Sequence, residues 1–273
     1  MTQSAFSPLS GRRLHVAIIM DGSGRWAVSR GLAREEGHRA GTAAVRRAVE
    51  AAREFGIGTL TLFAFSGDNW RRPSLEVANL MHVFEEYFRR DLPRWRATGT
   101  RVSAIGRRDR LGYPLLEAVE EAEAETADGL GLHLRIALDY SGRDSILQAA
   151  RQLRRKCIEP TRETLARILG EVTYAGGSSP DVDLLIRTGG ELRLSDFMLW
   201  ETAYAELYFT DRMWPDFQAA DLAAALQEFA GRERRFGSLR AYGTDFVTGL
   251  PSDTAPVETP AGATRVRPGA DHA

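Results

Sequence analysis

Short apolar runs alternate with longer amphipathic stretches along most of this chain, and that alternation leaves few folds open. Runs of strand length lie at 14–20, 59–65, 101–105, 132–138, 182–186 and 206–209. Between them, 41–55, 74–91, 113–128 and 141–156 read as helices. In the first of these, Val45, Ala48, Val49, Ala52 and Phe55 recur at helical spacing. In the second, Val77, Leu80, Met81, Phe84 and Phe88 do so, with Glu85, Glu86, Arg89 and Arg90 off the stripe. Strands that are apolar on both faces and joined by helices predict an α/β fold. It is expected to be a single domain with a mainly parallel six-stranded sheet flanked by helices. The domain is expected over 14–247, after a short N-terminal segment 1–13. The stretch 248–273 carries Pro251, Pro256, Pro260 and Pro268 without apolar periodicity, so a disordered tail is expected there.

Composition narrows the class. A formal charge of −1 gives no broad basic surface, which argues against a nucleic-acid binder. Cys157 is the only cysteine, so no intrachain disulfide can form and a reducing compartment is expected. No C-x-x-C or H-E-x-x-H zinc pattern occurs. No uninterrupted apolar run reaches membrane-spanning length, and 1–13 lacks the apolar centre of a signal peptide, so a soluble, cytoplasmic protein is expected.

Two separated segments gather the arginines. His15-Val-Ala-Ile-Ile-Met-Asp21-Gly-Ser-Gly-Arg25-Trp26 and Leu185-Ile-Arg187-Thr-Gly-Gly-Glu-Leu-Arg193-Leu-Ser195 each run from an apolar strand into a glycine-bearing, charged turn. Backbone N–H groups and guanidinium forks in such turns suit phosphate oxygens. Asp21 stands at the carboxyl end of a strand, where open α/β sheets place ligands. A carboxylate there is often only a turn former or helix cap. Gly22, Gly24 and Arg25 beside it favour a phosphate site instead, with Mg²⁺ bridging carboxylate and phosphate oxygens. Arg34 and His38, four apart, share a face if helical. A third strand end carries Ser66-Gly67-Asp68-Asn69-Trp70-Arg71-Arg72-Pro73. Two phosphate-type cradles and an acid point to an enzyme joining two phosphorylated substrates.

These segments, with Gly37-His38-Arg39-Ala40-Gly41, Leu199-Trp200, Ala205-Glu206-Leu207-Tyr208-Phe209-Thr210-Asp211 and the 232–237 run, resemble the cis-prenyltransferase (isoprenyl, or undecaprenyl, diphosphate synthase) family. The resemblance extends in order over roughly 14 to 238. It implies condensation of isopentenyl diphosphate onto an allylic diphosphate such as farnesyl diphosphate, giving a cis-polyprenyl diphosphate. It makes Asp21 and Asn69 catalytic, Asn69 as proton acceptor, and Asp21 and Glu206 the Mg²⁺ carboxylates. Gly22, Ser23, Gly24, Arg25, Trp26, Arg34 and His38 are implied to hold the primer, with Ser66, Gly67, Asp68, Trp70 and Arg72. Arg187, Arg193, Leu194 and Ser195 are implied to grip isopentenyl diphosphate. A homodimer with its contact near 232–237 and peripheral membrane contact for the lipid product are implied too. A neutral amide is a weak base, so on chemistry alone Asn69 could equally orient the reactants or a diphosphate that takes the proton.

A growing apolar chain needs a dry tunnel, for which Val77, Leu80, Met81, Phe84 and Phe88 are candidates, although such a stripe is by default core. Ala64 shares a strand face with Ser66 and leaves room for a medium or long product. Departures from the family pattern are Ser23 for Asn, Asp68 for Glu, Asp139-Tyr-Ser-Gly for Asn-Tyr-Gly-Gly, Asp196 for Asn and Glu201 for Gln. Asp196 and Glu201 are expected to add negative charge near Arg193. Other readings fit less well. The chain has no Asp-Asp pair for a trans-prenyltransferase and no Asp-x-Asp at Asp21 for a phosphatase. A non-catalytic partner subunit should have lost the acid and arginines. A short-chain synthase of specialised metabolism stays open.

Overall fold

The computed structural model describes residues 13–175 and 180–232. In chain order its elements are β1 (His15–Ile19), α1 (Ser23–Val28), α2 (Arg34–Glu54), β2 (Thr59–Phe63), α3 (Ser74–Ala97), β3 (Arg101–Ile105), α4 (Tyr113–Glu125), β4 (His133–Ala137), α5 (Gly142–Lys156), α6 (Arg162–Val172), β5 (Leu184–Arg187), β6 (Glu206–Phe209) and α7 (Ala219–Gly231). All strand pairs are parallel and the sheet order is β3-β4-β2-β1-β5-β6. The described chain up to Arg232 forms one compact unit. The expected tail at 248–273, the domain end near 247 and the segment 233–237 lie outside the described residues.

Alternation along each strand sorts side chains between two layers. Val16, Ile18, Leu60, Leu62, Leu134, Ile136, Leu184 and Ile186 face a large core completed by α2, α3, α4 and α7. Ala17, Ile19, Ala137 and Leu185 face a smaller core with Tyr140, Phe197 and Met198, while α5 and α6 pack on each other around Leu153 and Ile168. That second face also buries polar groups. His15 Nε2 meets Thr61 Oγ1 at 2.8 Å, and Arg135 is buried with Glu201 as its nearby countercharge.

Two boundaries differ from the expected ones for packing reasons. Helix α2 starts at Arg34 rather than 41 because Gly37 is needed inside it: a Cβ there would lie 2.0 Å from the Ser23 carbonyl oxygen of α1. Helix α3 continues through Pro93 to Ala97, since Leu92 and Trp95 are buried and hold the last turns on the core. The short α1 and the helices α6 and α7 were not anticipated. In α6 and α7 the apolar sets Leu165, Ile168, Leu169, Val172 and Leu222, Ala225, Leu226, Phe229 do carry the helical period.

Candidate active site

From β1 the sheet extends both ways, to β2, β4 and β3 on one side and to β5 and β6 on the other. Open parallel sheets form their ligand crevice at such a point, outside the strand carboxyl ends. Asp21 and Arg187 stand there, on adjoining strands 166 positions apart in sequence. Arg187 is almost fully buried, and its fork is filled on both sides. Nη2 donates to Asp21 Oδ2 at 2.8 Å, while Nη1 donates to Ser195 Oγ at 2.7 Å and to the Arg193 carbonyl. Its Nε is buried without a partner among the described residues. Asp21 Oδ1 accepts the Gly22 N–H at 2.6 Å and lies 3.3 Å from Arg25 Nη2. Burial pushes the Asp21 carboxyl up, but the Arg187 hydrogen bond and charge, the Gly22 N–H and Arg25 outweigh it and hold it below the usual carboxylate value.

The two arginine segments thus form one wall. Gly189, at φ +82°, closes the second turn on the first; a Cβ there would meet Arg25 and the Asp21 carbonyl within 3.0 Å. Glu191 joins the arginines across it, 3.6 Å from Arg25 Nη1 and 2.6 Å from Arg193 Nη1. Ser195 and Asp196 both adopt the left-handed conformation, which turns the Ser195 hydroxyl toward Arg187. The Asp196 carboxylate turns away to the start of α5, accepting from Ser141 Oγ at 2.6 Å and the Arg143 N–H at 2.9 Å. Its charge therefore caps α5, although Asp196 also lines the cleft beside Arg193 and Ser195. Glu201 is buried beneath the sheet opposite Arg135, away from Arg193's solvent-facing side chain.

The facing wall comes from α2 and the segment after β2. Arg34 lies against Gly24 and pairs with no acidic side chain among the described residues. Glu76 stands between Arg72 (3.2 Å) and His38 (3.7 Å), whose Nε2 is buried without a hydrogen bond among the described residues. Burial, joined by the Arg72 charge, keeps the His38 pKa below its ordinary value despite Glu76. Asn69 caps the 3₁₀ turn Gly67–Arg71: its Oδ1 accepts the Ser66 N–H at 3.1 Å while the Ser66 side chain takes the Asn69 N–H. That bond uses one of the two lone pairs of the amide oxygen.

These walls enclose a cleft of about 630 Å³. Asp21, Gly22, Ser23, Gly24, Arg25, Arg34, His38, Ser66, Asp68, Asn69, Arg72, Arg187, Arg193 and Ser195 all line it. Trp26, Gly67, Trp70 and Leu194 do not. Trp26 Nε1 donates to Asp216 and Trp70 packs on Phe65, so both brace the site from behind. Glu206 is a larger departure. It begins β6 level with Leu184 and Val16, about five residues or ~16 Å short of Asp21 along the strand direction and two strands over, and it pairs with Arg232 at 2.9 Å. Within one chain Glu206 and Asp21 cannot share an ion, because parallel strands put its end of β6 at the opposite edge from the crevice.

The cleft deepens into an apolar chamber between the sheet and α2–α3. Of the expected stripe Leu80, Phe84 and Phe88 line it, as does Ala64; Val77 and Met81 pack into the core. Val83 and Tyr87 complete the lining and were missed, although they continue the same helical period. Arg143, which lines the cleft, and Glu76 and Glu191, which pair with arginines that line it, were missed as well; Glu76 is legible as the i+4 partner of Arg72. Among the described residues no three His, Cys, Asp or Glu side chains converge as a metal cage. Mg²⁺ commonly needs only one or two carboxylates with substrate phosphates, and Asp21, part-exposed beside two arginines, suits an ion arriving with a diphosphate.

An arginine-lined crevice continuous with an apolar chamber, on a parallel sheet, defines an α/β protein equipped for ligands with an anionic head and a hydrocarbon body. Comparison with known proteins agrees. The Prenyltransf family model, described as "Putative undecaprenyl diphosphate synthase", matches residues 19–237. Isoprenyl transferase 1 of Bradyrhizobium diazoefficiens is 56% identical over 238 residues, covering 87% of this chain and 95% of that protein. The isoprenyl transferase of Rhodopirellula baltica is 44% identical over 227 residues, 82% of this chain and 93% of that one. Among solved structures, lavandulyl diphosphate synthase from Lavandula x intermedia, in complex with dimethylallyl diphosphate, superposes with a TM-score of 0.77 at 36% identity, over 82% of this chain and 98% of that one. A probable undecaprenyl diphosphate synthase from Campylobacter jejuni gives 0.71 at 30% identity, over 83% and 99%. The chain belongs to the isoprenyl transferase (undecaprenyl diphosphate synthase) family of prenyltransferases.

Proposed function

We propose that this chain condenses isopentenyl diphosphate with an allylic diphosphate, farnesyl diphosphate being the expected primer, to give a cis-polyprenyl diphosphate. The observation that carries this reading is the continuity of the arginine-lined crevice with the apolar chamber: one cleft offers two diphosphate walls and a dry path for hydrocarbon. The primer diphosphate is assigned to Gly22–Arg25, Arg34 and His38, with Ser66, Asp68 and Arg72 beside it. Isopentenyl diphosphate is assigned to Arg187, Arg193 and Ser195. An incoming diphosphate would displace Glu191 from Arg25 and Arg193, exchanging one anionic partner for a stronger one.

In the reaction, the isopentenyl double bond bonds to the allylic carbon as that carbon's bond to the diphosphate oxygen breaks. The isopentenyl unit then loses a proton. Arg25 and Arg34 are placed to stabilise charge growing on the departing diphosphate. Asn69, whose oxygen is held by the Ser66 N–H, fixes the turn that orients the reactants, and the departing diphosphate takes the proton. Mg²⁺ held by Asp21 would neutralise diphosphate oxygens and assist departure. Much of the rate is assigned to positioning of the two partners.

A homodimer is part of the proposal. Strand β6 is a sheet edge, and Leu192 and Tyr204 near it are exposed, which supports a second copy there. In that setting Glu206 would serve a metal only through the partner's cleft. No helix among the described residues is long and apolar enough to cross a membrane, so lipid contact is proposed as peripheral. A short-chain product is a second reading, favoured by the aromatic floor that Tyr87 and Phe88 give the chamber. The test is mass spectrometry of the product made by the purified chain alone from labelled isopentenyl diphosphate and a panel of allylic primers. No product with any primer would refute the proposal.

A further inference from the structure

Behind the primer wall, Arg110 reaches from the loop between β3 and α4 to Asp139, just past the end of β4. Its fork is bidentate: Nε donates to Asp139 Oδ2 at 2.7 Å and Nη2 to Oδ1. The Asp139 side chain is fully buried, and its backbone takes a left-handed turn at φ 49°. That turn delivers Tyr140 to the segment after β2. The Tyr140 N–H donates to the Phe65 carbonyl at 3.1 Å, and the Gly67 N–H donates to the Tyr140 carbonyl at 2.9 Å. On its other side the Arg110 guanidinium sits over the Trp70 ring, 5.2 Å from the centroid. Trp70 stands edge-on to Phe65 at 5.3 Å. Thus one guanidinium grips the start of the 66–72 turn through Asp139 and Tyr140, and its end through Trp70. Neither Arg110 nor Asp139 lines the cleft.

We infer that Arg110, with Asp139, is a positioning residue that latches the 66–72 turn, and with it Ser66, Asn69 and Arg72, against the primer. This rests on the proposed prenyl transfer for its kinetic consequence, though not for its structural one. The turn gains from such a latch because its own closure is short-range, a capping box between Ser66 and Asn69 with the backbone bonds Asn69 N–H to Ser66 O and Arg72 N–H to Asn69 O, none of which ties it to the sheet. The bidentate pair is strong and directional, since both carboxylate oxygens are engaged by a planar fork. Removing the arginine alone would strand a buried carboxylate, which separates a latch from simple packing: Asp139→Asn removes that stranded charge without restoring the grip on Trp70.

The experiment uses the full chain and four variants: Arg110→Ala, Arg110→Lys, Asp139→Asn and Arg110→Ala with Asp139→Asn. Hydrogen exchange read by mass spectrometry needs no substrate. Arg110→Ala should exchange about tenfold faster over 66–72 and at an unchanged rate over 187–195. With farnesyl and isopentenyl diphosphates, it should lower kcat/KM for the primer by about ten- to a hundredfold, as small misplacements do, and leave the isopentenyl KM within about twofold. Arg110→Lys should fall between. The double variant should regain melting temperature relative to Arg110→Ala but stay impaired toward the primer; it and the lysine variant keep the test open if Arg110→Ala does not fold. Unchanged exchange over 66–72, equal losses toward both substrates, or kinetics that recover together with the melting temperature would each overturn the latch. A wild-type chain without turnover would count against the proposed reaction instead, and exchange would still decide the latch.

Discussion

Replacing Asp21 by Asn isolates the charge at the centre of the cleft from its shape. The amide keeps an oxygen for the Gly22 N–H but removes the anion between Arg187 and Arg25, leaving only Glu191 beside Arg25. Unit charges about 4 Å apart interact by about 4 kcal/mol at an effective dielectric constant of 20. Desolvation offsets part of this for Arg187, whose side chain is only 4% exposed, and solvent screens Arg25 at 47%. The net loss should be nearer 1.5–3 kcal/mol, the range for a hydrogen bond to a charged group, or roughly 3–10 °C in melting temperature. The same vacancy should welcome another anion. In chelator, Asp21→Asn should bind inorganic diphosphate about tenfold more tightly than the wild type, a difference of about 1.4 kcal/mol, because the Asp21 carboxylate no longer competes for the two guanidinium groups and only Glu191 on Arg25 remains to be displaced. Mg²⁺ should strengthen diphosphate binding to the wild type and leave the variant nearly unaffected, with turnover down more than about a hundredfold. Titration calorimetry with and without Mg²⁺ measures all but the turnover. Weaker diphosphate binding by the variant in chelator, or an equal Mg²⁺ effect in both proteins, would refute this account of Asp21.

Further outcomes follow from the chamber and from two histidines, one buried and one half-buried. Ala64→Leu should shorten the product, with an overpacking cost of about 1–3 kcal/mol. Tyr87→Ala should lengthen it, because Tyr87 also borders a small cavity ringed by Arg46, Asp91 and Arg94. Product mass profiles that stay fixed in folded, active variants would remove the chamber from length control. Burial, with the Arg135 charge, lowers both His15 and His133 to about 3. Between pH 6.5 and 3 the unfolded chain therefore binds more protons than the folded one. Their contribution is full above pH 6.5 and is lost on acidification, by up to about 1.4 kcal/mol per pH unit for each histidine. His133→Gln should make denaturant-derived stability between pH 4 and 6 shallower by about that slope; parallel curves would contradict the assignment.

Much of this was legible from local pattern. All six strands were visible as apolar-rich runs of strand length between helices, even though β2 and β4 alternate polar with apolar residues. The cleft residues on Asp21–Arg25 and Arg187–Ser195 were visible as glycine-bearing turns at strand ends. What stayed hidden depends on three-dimensional placement. That both arginine segments share one carboxylate follows from β1 and β5 being neighbours, which no local spacing encodes. Glu206 sits close in sequence to the second cradle yet lies at the far edge of the sheet, since strand direction, not sequence distance, decides which end a residue occupies. That Asp196 caps α5 while lining the cleft depends on its left-handed backbone, which the sequence does not reveal. The part Asn69 plays in its own turn, through the Ser66 N–H, was likewise not legible from sequence spacing.

The claim that one cleft holds two diphosphates at separate sites is tested most directly by crossing two arginine variants with two substrates. Arg34→Ala and Arg193→Ala each remove one exposed cation from opposite walls. The KM for farnesyl diphosphate should rise about ten- to a hundredfold in Arg34→Ala and little in Arg193→Ala, with the reverse for isopentenyl diphosphate, as expected for loss of one charge-assisted contact of about 1.5–3 kcal/mol. Equal losses for both substrates in both variants would contradict two separate sites.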